Sequence, residues 1–272
     1  INIATLHAST SDKYLKTFEP EAAVARWIGL LDGVTTPARF VKEQAERHFM
    51  GYEFKVIPNG VDTKRFNPEG PVIERSKDGK VNFMDGKVNF IFLGRIEERK
   101  GVRYVIDAID DLAEKTQDFR FIIGGSGPDE DNLRKQVQDS GVEDFVHFYG
   151  RVSDDELPSF YRTGDVGVFP SYKGESFGIV LLEAMASGLP VIAGDNDGYR
   201  ELIKNGGDES LSTPGFLVNP KNTQEVIARM NMLMESPFLR ERMGRAARLF
   251  STQYDRKIVA GMYLDFYSDT FD

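Results

Sequence analysis

The amino-acid sequence predicts an α/β protein built on a doubly wound parallel sheet with helices on both faces. From residue 88 onward, short apolar runs of strand length alternate with stretches of helical periodicity, as in parallel sheets joined by crossover helices. Glycines follow several of the apolar runs, at the sheet edge where such folds bind ligands. The chain has 272 residues with 40% hydrophobic and 28% charged content, so it is long enough for one large core or two smaller ones.

The alternating pattern assigns the elements of this sheet. The apolar runs predict strands at 90–93, 119–123, 146–149, 166–169, 191–193 and 216–218. Helical periodicity predicts helices at 102–115, 129–139, 154–163, 179–187, 198–204, 222–235, 237–251 and 255–268.

The first 80 residues are less regular. Their pattern predicts, in order, a strand at 1–6, a helix at 20–31, a strand at 32–35 and a helix from about residue 36. In the first of these helices we expect Ala22, Trp27 and Leu30 to contact a core. The segment DGKVNF occurs at 78–83 and again at 85–90, and either the two copies pair as a hairpin or only the second forms a strand.

The loop after the fourth strand of the alternating region carries the strongest functional signal. Glu175 precedes a helix whose first backbone N–H groups, near Phe177, Gly178 and Ile179, should point into the crevice and favour an anion. Glu183 follows eight residues after Glu175. At ~3.6 residues per turn it should face the same crevice from the side of the helix. The pattern therefore predicts two carboxylates and a phosphate site in one cleft.

The first strand of the alternating region ends in GRIEERKG, which supplies two cations. Arg95 leaves the strand and Lys100 enters the next helix, five residues later. Both side chains could converge on one diphosphate, Arg95 as a bidentate fork and Lys100 as a point charge. Taken alone, such a segment is more often a solvated basic turn, so its interpretation depends on the other motifs.

Composition excludes several classes of function. The net charge of −9 argues against a protein attracted mainly to nucleic-acid backbones. The absence of cysteine excludes disulfides and thiolate metal sites, and three histidines leave little material for zinc. We reject Asp195 and Asp197 as a metal-binding pair, because acidic residues are common in turns. No apolar run approaches ~18 residues and no signal peptide is present, so we expect a soluble, cytoplasmic protein.

The segment ESFGIVLLEAMASGLPVIA, residues 175–193, resembles the E-x7-E signature of retaining glycosyltransferases of family four. That family has the GT-B fold of two Rossmann-like domains, and its enzymes use neither a metal nor another cofactor. The resemblance covers roughly residues 1–270. Through TLHAST near the start, it extends most closely to the phosphatidylinositol mannosyltransferases, which take mannose from GDP-mannose at a membrane surface.

The resemblance implies roles for the acidic and basic residues already singled out. Glu175 would hold hydroxyls of the donor sugar, and Glu183 would hold hydroxyls of the ribose. Arg95 and Lys100 would contact the diphosphate, since the family pairs an arginine and a lysine at this place. His7, after the first predicted strand, matches a histidine that sits beside the donor sugar.

The family also suggests contacts made through the backbone. GGSGP resembles a turn in which the missing side chains of Gly125 and Gly127 let the backbone approach the nucleotide. Val152, after the third strand of the alternating region, matches a position that touches the nucleobase. Glu201 matches a glutamate of a sugar-binding loop, although the loop here departs from the family pattern Gly-Gly-x-Pro-Glu.

By this resemblance the chain is a fragment with three parts. Residues 1–79 would be the tail of an acceptor-side amino-terminal domain with its linker, residues 80–253 the donor-binding domain, and residues 254–272 a terminal helix that crosses back. The partner expected is a nucleotide-diphosphate sugar, either GDP-mannose or a UDP-sugar, and not nucleic acid. The acceptor, a lipid or a sugar, is left open, as is peripheral membrane association through the missing amino-terminal domain.

Three alternatives stand beside this interpretation. The chain could be a non-catalytic nucleotide-binding module of the same fold, but such a module should have lost Arg95, Lys100, Glu175 or Glu183. It could belong to a phosphorylase-like enzyme that uses pyridoxal phosphate, but no lysine has a recognisable context for a Schiff base. It could also be a GT-B enzyme for a soluble sugar acceptor, as in polysaccharide or sucrose-type synthesis.

Overall fold

The computed structural model describes residues 2–7, 26–203 and 213–271, and two parallel β-sheets form the framework of this part of the chain. The first sheet has three strands in the order β1-β2-β3. Its elements are β1 (Ile3–Thr5), β2 (Gly33–Thr36), α1 (Arg39–His48) and β3 (Lys55–Val56). A small apolar cluster packs beneath it, consisting of Ile28, Val34, Ala45, Phe49 and Phe54.

The second sheet has six strands in the order β6-β5-β4-β7-β8-β9, all of them parallel. Its strands are β4 (Val88–Leu93), β5 (Phe119–Gly124), β6 (Val146–Gly150), β7 (Val166–Phe169), β8 (Val191–Gly194) and β9 (Gly215–Val218). The helices described with it are α2 (Val102–Ala113), α3 (Glu130–Ser140), α4 (Leu157–Thr163), α5 (Ile179–Ala186), α6 (Asp197–Arg200), α7 (Thr223–Glu235), α8 (Pro237–Thr252) and α9 (Arg256–Phe271).

Strand order places the crevice of this sheet between β4 and β7. The chain runs outward from β4 through β5 to β6, then returns to the other side of β4 to form β7. Where the order reverses, the loops at the carboxyl ends of two adjacent strands separate and leave room for a ligand. The two segments that border this point are residues 94–101 after β4 and residues 170–178 after β7.

The predicted fold class is confirmed, since burial follows the sequence pattern. Every residue of β5 and β7 is buried, as expected for strands covered by helices on both faces. Helix α2 buries one stripe at helical spacing and exposes the rest. The stripe consists of Val102, Val105, Ile106, Ala108, Ile109 and Leu112.

The two copies of DGKVNF have different structures. The second copy enters β4, which is paired with β5 on one side and β7 on the other, so no edge of β4 is free for a hairpin partner. In the first copy Asn82 instead forms an isolated antiparallel bridge with Arg75. The Asn89 side chain joins the two copies by donating a hydrogen bond from Nδ2 to the Phe83 carbonyl at 2.9 Å. The hairpin alternative is therefore wrong.

Contacts predicted for the early helical pattern are also partly wrong. Trp27 and Leu30 are 50% and 74% exposed, whereas Ile28, between them, is 1% exposed and belongs to the small cluster. Ala22 lies outside the described residues. The helix predicted at 198–204 corresponds to α6, which ends at Arg200, and residue 204 is likewise outside the described part.

Backbone hydrogen bonds join two segments of the chain that connect the sheets, one around Val61 and the other around Tyr254 and Arg256. Val61 donates its N–H to the Tyr254 carbonyl at 2.8 Å and accepts from the Arg256 N–H at 2.9 Å. Beyond this point α9 packs on the first sheet, with the Tyr263 hydroxyl 3.4 Å from Thr5 Oγ1. The division of the chain at residues 79 and 254 stays a proposal.

Candidate active site

A lysine and a glutamate meet at the crevice between β4 and β7. Lys100 lies in a short 3₁₀ helix, Glu98–Lys100, and Glu175 lies in the loop after β7. Lys100 Nζ is 2.7 Å from Glu175 Oε1, and the two side chains are only 13% and 12% exposed. Such a close, largely desolvated pair is stronger than a surface ion pair. The structure therefore brings together two residues that the sequence predicted to share a site.

Arg95 does not join this pair. Its side chain is 69% exposed, and its Nε is 2.9 Å from Glu97 Oε1. Arg99 takes the central position instead, with Nε 2.9 Å from Glu97 Oε2 and Nη1 3.2 Å from Glu175 Oε1. Arg95 and Lys100 therefore do not meet in the free protein, and their convergence on a diphosphate stays a prediction. The sequence offered only one signal for Arg99, its position next to Lys100 in the chain.

The turn into α5 depends on Gly178. Its φ is +108°, and an added Cβ would lie 2.8 Å from Cδ1 of the buried Tyr199. The side chain of Phe177 is buried against the edge of the Tyr254 ring, while Ile179 is 45% exposed. Any contact of Phe177 with an anion must therefore come from its backbone. The first N–H groups of a helix have no intrahelical acceptor, so they remain free for a ligand.

Glu183 lies on α5 and is held by a tyrosine. The Tyr161 hydroxyl donates a hydrogen bond to Glu183 Oε2 at 2.7 Å, and Tyr161 is completely buried in α4. Burial raises the pKa of the Glu183 carboxyl, and the hydrogen bond from Tyr161 opposes that rise. Nothing in the sequence indicated this partnership, because the two residues are 22 positions apart.

The glycines after β5 are required by the protein's own backbone. A Cβ added at Gly125, where φ is +121°, would lie 1.9 Å from the Gly94 carbonyl oxygen. At Gly127 it would lie 2.2 Å from the Ile96 carbonyl oxygen. The loops after β4 and β5 can pack this closely only without side chains at these positions. Contact of Gly125 and Gly127 with a nucleotide stays a prediction.

Three further predicted residues lie on other segments of the chain. Val152 follows β6 and is half-buried against the main core. His7 is exposed at the end of β1 and forms no hydrogen bond or ion pair with a described residue. Glu201 follows α6 and accepts hydrogen bonds from the backbone N–H groups of Arg39 and Phe40, at 2.9 and 3.3 Å. It thus caps the amino-terminal end of α1.

Comparison with known proteins identifies the family. Residues 74–250 match the family described as glycosyl transferases group 1. The chain belongs to the group 1 glycosyltransferases. It is 31% identical over 269 residues to the phosphatidyl-myo-inositol mannosyltransferase of Mycobacterium leprae, covering 97% of the chain and 66% of that protein. The corresponding protein of Mycobacterium tuberculosis (strain H37Rv) is 33% identical over 221 residues, covering 80% of the chain and 54% of that protein.

The fold matches solved GT-B glycosyltransferases. The crystal structure of HepE from Anabaena, in complex with UDP, superposes with a TM-score of 0.84 at 23% identity. The match covers 98% of this chain and 72% of HepE. This confirms the predicted GT-B fold, and the chain spans between about half and two thirds of the length of the curated relatives described above.

The site of this group 1 glycosyltransferase combines positive charge with hydrogen-bonding carboxylates. Lys100, Arg99 and the start of α5 can stabilise an anion, while Glu175 and Glu183 can accept hydrogen bonds from hydroxyl groups. Asp195 and Asp197 both bind Arg200, at 2.6 and 2.9 Å. In the described ranges no group of three or more acidic, histidine or cysteine side chains forms a metal site, and no helix is long and apolar enough to cross a membrane.

Proposed function

We propose that this chain binds a nucleotide-diphosphate sugar and belongs to an enzyme that transfers the hexose to an acceptor with retention of anomeric configuration and without a metal ion. One observation carries the proposal. Lys100, Arg99 and Glu175 meet at the start of α5, at the point where the strand order of the sheet reverses. This is where α/β folds hold phosphates, and the cations supply the charge that a diphosphate needs.

Each residue has a role that its surroundings support. Lys100 and the α5 N–H groups of Gly178 and Ile179 stabilise the departing diphosphate, where negative charge develops. Glu175 holds hydroxyls of the hexose, and Glu183 holds hydroxyls of the ribose. Glu175 is 2.7 Å from Lys100, and Glu183 lies on α5, the helix that begins just after the loop of Glu175.

Other predicted residues complete the site. Arg95 joins the diphosphate after leaving Glu97, its partner at 2.9 Å in the free protein. The backbone near Gly125 and Gly127 borders the nucleotide, and Val152 borders the base. His7, next to β1, faces the donor sugar from the amino-terminal side.

The reaction proposed proceeds on one face of the sugar. The bond between the anomeric carbon and the diphosphate oxygen breaks, and the acceptor oxygen forms its new bond on that same face. The acceptor hydroxyl gives its proton to the departing phosphate, so no separate base is needed. Glu175 is 12% exposed and ion-paired to Lys100, which makes it a hydroxyl acceptor rather than a free nucleophile.

Two donors fit the proposal. The mycobacterial relatives are named as mannosyltransferases, which favours GDP-mannose, whereas HepE was crystallised with UDP, which favours a UDP-sugar. The name of the same relatives points to a phosphatidylinositol lipid as acceptor and hence to work at a membrane surface. A soluble sugar acceptor is the alternative.

Calorimetric titration of the 272-residue chain with UDP, GDP and the two parent nucleosides tests the proposal. We expect one diphosphate to bind, and to bind more tightly than its nucleoside, because charge-assisted hydrogen bonds to phosphate each contribute ~1.5–3 kcal/mol. Whichever of UDP and GDP binds then identifies the base of the donor. If neither UDP nor GDP binds, the proposed function is wrong.

A further inference from the structure

Tyr161 is completely buried and contacts Glu183, one of the two carboxylates of the candidate site. It does not belong to the loops that follow the strands. It lies on α4, and its hydroxyl is 2.7 Å from Glu183 Oε2 and 3.5 Å from the Val180 carbonyl. The carboxylate is a strong acceptor, and the carbonyl is at the limit of hydrogen-bonding distance. The phenol is therefore committed to one oxygen of Glu183.

The ring of Tyr161 is itself fixed by packing. Phe66, which is 4% exposed, meets the Tyr161 ring edge-on with the centroids 5.7 Å apart. Phe66 follows the junction between the two sheets, and its carbonyl accepts a hydrogen bond from Arg248 Nη1 at 2.9 Å. Because packing fixes the ring, the Tyr161 hydroxyl has one position. Its hydrogen bond therefore also fixes the orientation of the Glu183 carboxyl group.

Few other groups act on Glu183. Arg65, from the segment before Phe66, favours the charged form of the carboxyl, and Asp154, from the loop before α4, disfavours it. Neither forms an ion pair with Glu183, and no described residue donates a hydrogen bond to its second oxygen, Oε1. One carboxylate oxygen is thus held and the other is left for a ligand.

We infer that Tyr161 is a positioning residue for nucleotide binding, whose hydroxyl holds one oxygen of Glu183 so that the other is presented to the ribose hydroxyls of a nucleoside diphosphate. The inference rests on the proposed function, because the ribose contact of Glu183 is part of that proposal. It adds a role for a residue that has no contact with the ligand. The role depends on the hydroxyl and not on the ring.

The variant that isolates the hydroxyl is Tyr161→Phe. The diphosphate that binds, UDP or GDP, is titrated into both proteins together with its 2′-deoxy and 3′-deoxy forms. In the wild type, removal of a ribose hydroxyl should weaken binding about tenfold, as for a hydrogen bond to a charged group. In Tyr161→Phe the ribose nucleotide should bind about five- to tenfold more weakly. In this variant, removal of a ribose hydroxyl should therefore weaken binding by less than the roughly tenfold expected in the wild type.

The dependence of affinity on pH separates positioning from a loss of packing. The ionised Glu183 is the better acceptor, so its contribution to affinity falls as the pH drops through its pKa. Tyr161 lowers that pKa, and its removal should move the midpoint of the decline to higher pH. Titration of the nucleotide phosphates is common to both proteins and cancels in the comparison.

Tyr149→Phe is the matched control. Tyr149 is also buried and donates a hydrogen bond to a glutamate, Glu156, at 3.0 Å. Glu156 lies outside the carboxylates assigned to the donor. This variant should therefore keep the wild-type deoxy penalty and the wild-type pH midpoint, and thermal unfolding shows whether both variants are folded.

A double-mutant cycle completes the test. In a Glu183→Ala background, Tyr161→Phe should have no further effect on affinity, because the group it positions is gone. If Glu183→Ala removes the ribose discrimination but Tyr161→Phe behaves as wild type in affinity and pH midpoint, the inference is wrong and the proposed function stands. If Glu183→Ala leaves the discrimination intact, or if no nucleotide binds, the ribose contact of Glu183 is wrong and the inference fails with it.

Discussion

At the scale of single residues, the charged groups of the site are already paired in the free protein. Lys100 and Arg99 both bind Glu175 Oε1, at 2.7 and 3.2 Å. An incoming diphosphate competes with this carboxylate, so its net gain is smaller than the gain at an unpaired lysine. In the free protein Glu175 also provides the counter-charge of Lys100, whereas Arg99 has a second carboxylate partner in Glu97.

We expect Lys100→Ala to weaken UDP or GDP binding by ~1.5–3 kcal/mol while leaving nucleoside binding nearly unchanged, because only the diphosphate has a group for the ammonium to meet. Arg95→Ala should cost less, since Arg95 is 69% exposed and paired with Glu97. Calorimetric titration of both variants with diphosphate and nucleoside measures the difference.

Glu175→Gln is the control for Lys100→Ala. It keeps the shape of the side chain but removes the competing charge, so diphosphate affinity should rise. Equal losses for diphosphate and nucleoside in Lys100→Ala would mean that the lysine acts on folding alone. A larger loss for Arg95→Ala than for Lys100→Ala would mean that Arg95 is the main cation of the bound state.

The candidate site shows where sequence spacing succeeds and where it fails. Lys100 and Glu175 could be predicted, because each borders a strand end and such ends converge in a parallel sheet. The choice between Arg95 and Arg99 could not, since both contact Glu97 and only the folded loop shows that Arg99 also reaches Glu175. Tyr161 could not either, because the periodicity of a helix marks a buried residue without indicating which polar atom it meets.

At the scale of elements, strand positions were predicted well because most residues of the central strands are apolar. β7 coincides with its predicted bounds, 166–169, and the other five strands of the second sheet extend one or two residues beyond theirs. Helix ends were less accurate. The helix predicted at 154–163 begins at Leu157, because the polar residues before it form a turn in which Glu156 accepts from the Ser153 N–H.

The loop after β5 packs closely against the loop after β4, which explains the glycines at positions 125 and 127. We expect Gly125→Ala to lower the free energy of unfolding by about 3 kcal/mol or more. The added Cβ would lie 1.9 Å from the Gly94 carbonyl oxygen, and φ at this position is +121°. Urea-induced unfolding of the variant measures the loss.

Gly141→Ala is the matched control. Gly141 also has a positive φ, +66°, but an added Cβ would meet nothing within 4 Å. Only the backbone penalty of about 1 kcal/mol should appear there. Similar losses in the two variants would show that the loop after β4 moves aside and that close backbone packing is not the reason for Gly125.

At the scale of the whole molecule, Arg248 joins segments that are far apart in the sequence. It lies on α8, and Nη1 donates to the carbonyls of Phe66 and Ala186, at 2.9 and 2.8 Å, while Nη2 donates to the Thr63 carbonyl at 2.9 Å. Ala186 ends α5, where a positive charge also complements the helix dipole. The arginine thus fixes the segment after the sheet junction to the helix that carries Glu183.

This arrangement leads to a prediction about stability. Arg248→Lys should lower the free energy of unfolding by about 1–3 kcal/mol, because a single ammonium group lacks the planar fork that reaches three carbonyls. Arg248→Met should cost more, since it leaves partly buried carbonyls without a donor. Arg245→Met provides the comparison on the same helix, because Arg245 is 63% exposed and pairs only with Glu241 one turn away. Its loss should be within ~0.5 kcal/mol. Urea unfolding of the three variants measures these differences in the free energy of unfolding. If Arg248→Lys loses no more stability than Arg245→Met, the three carbonyl contacts do not help to hold the junction against the larger sheet.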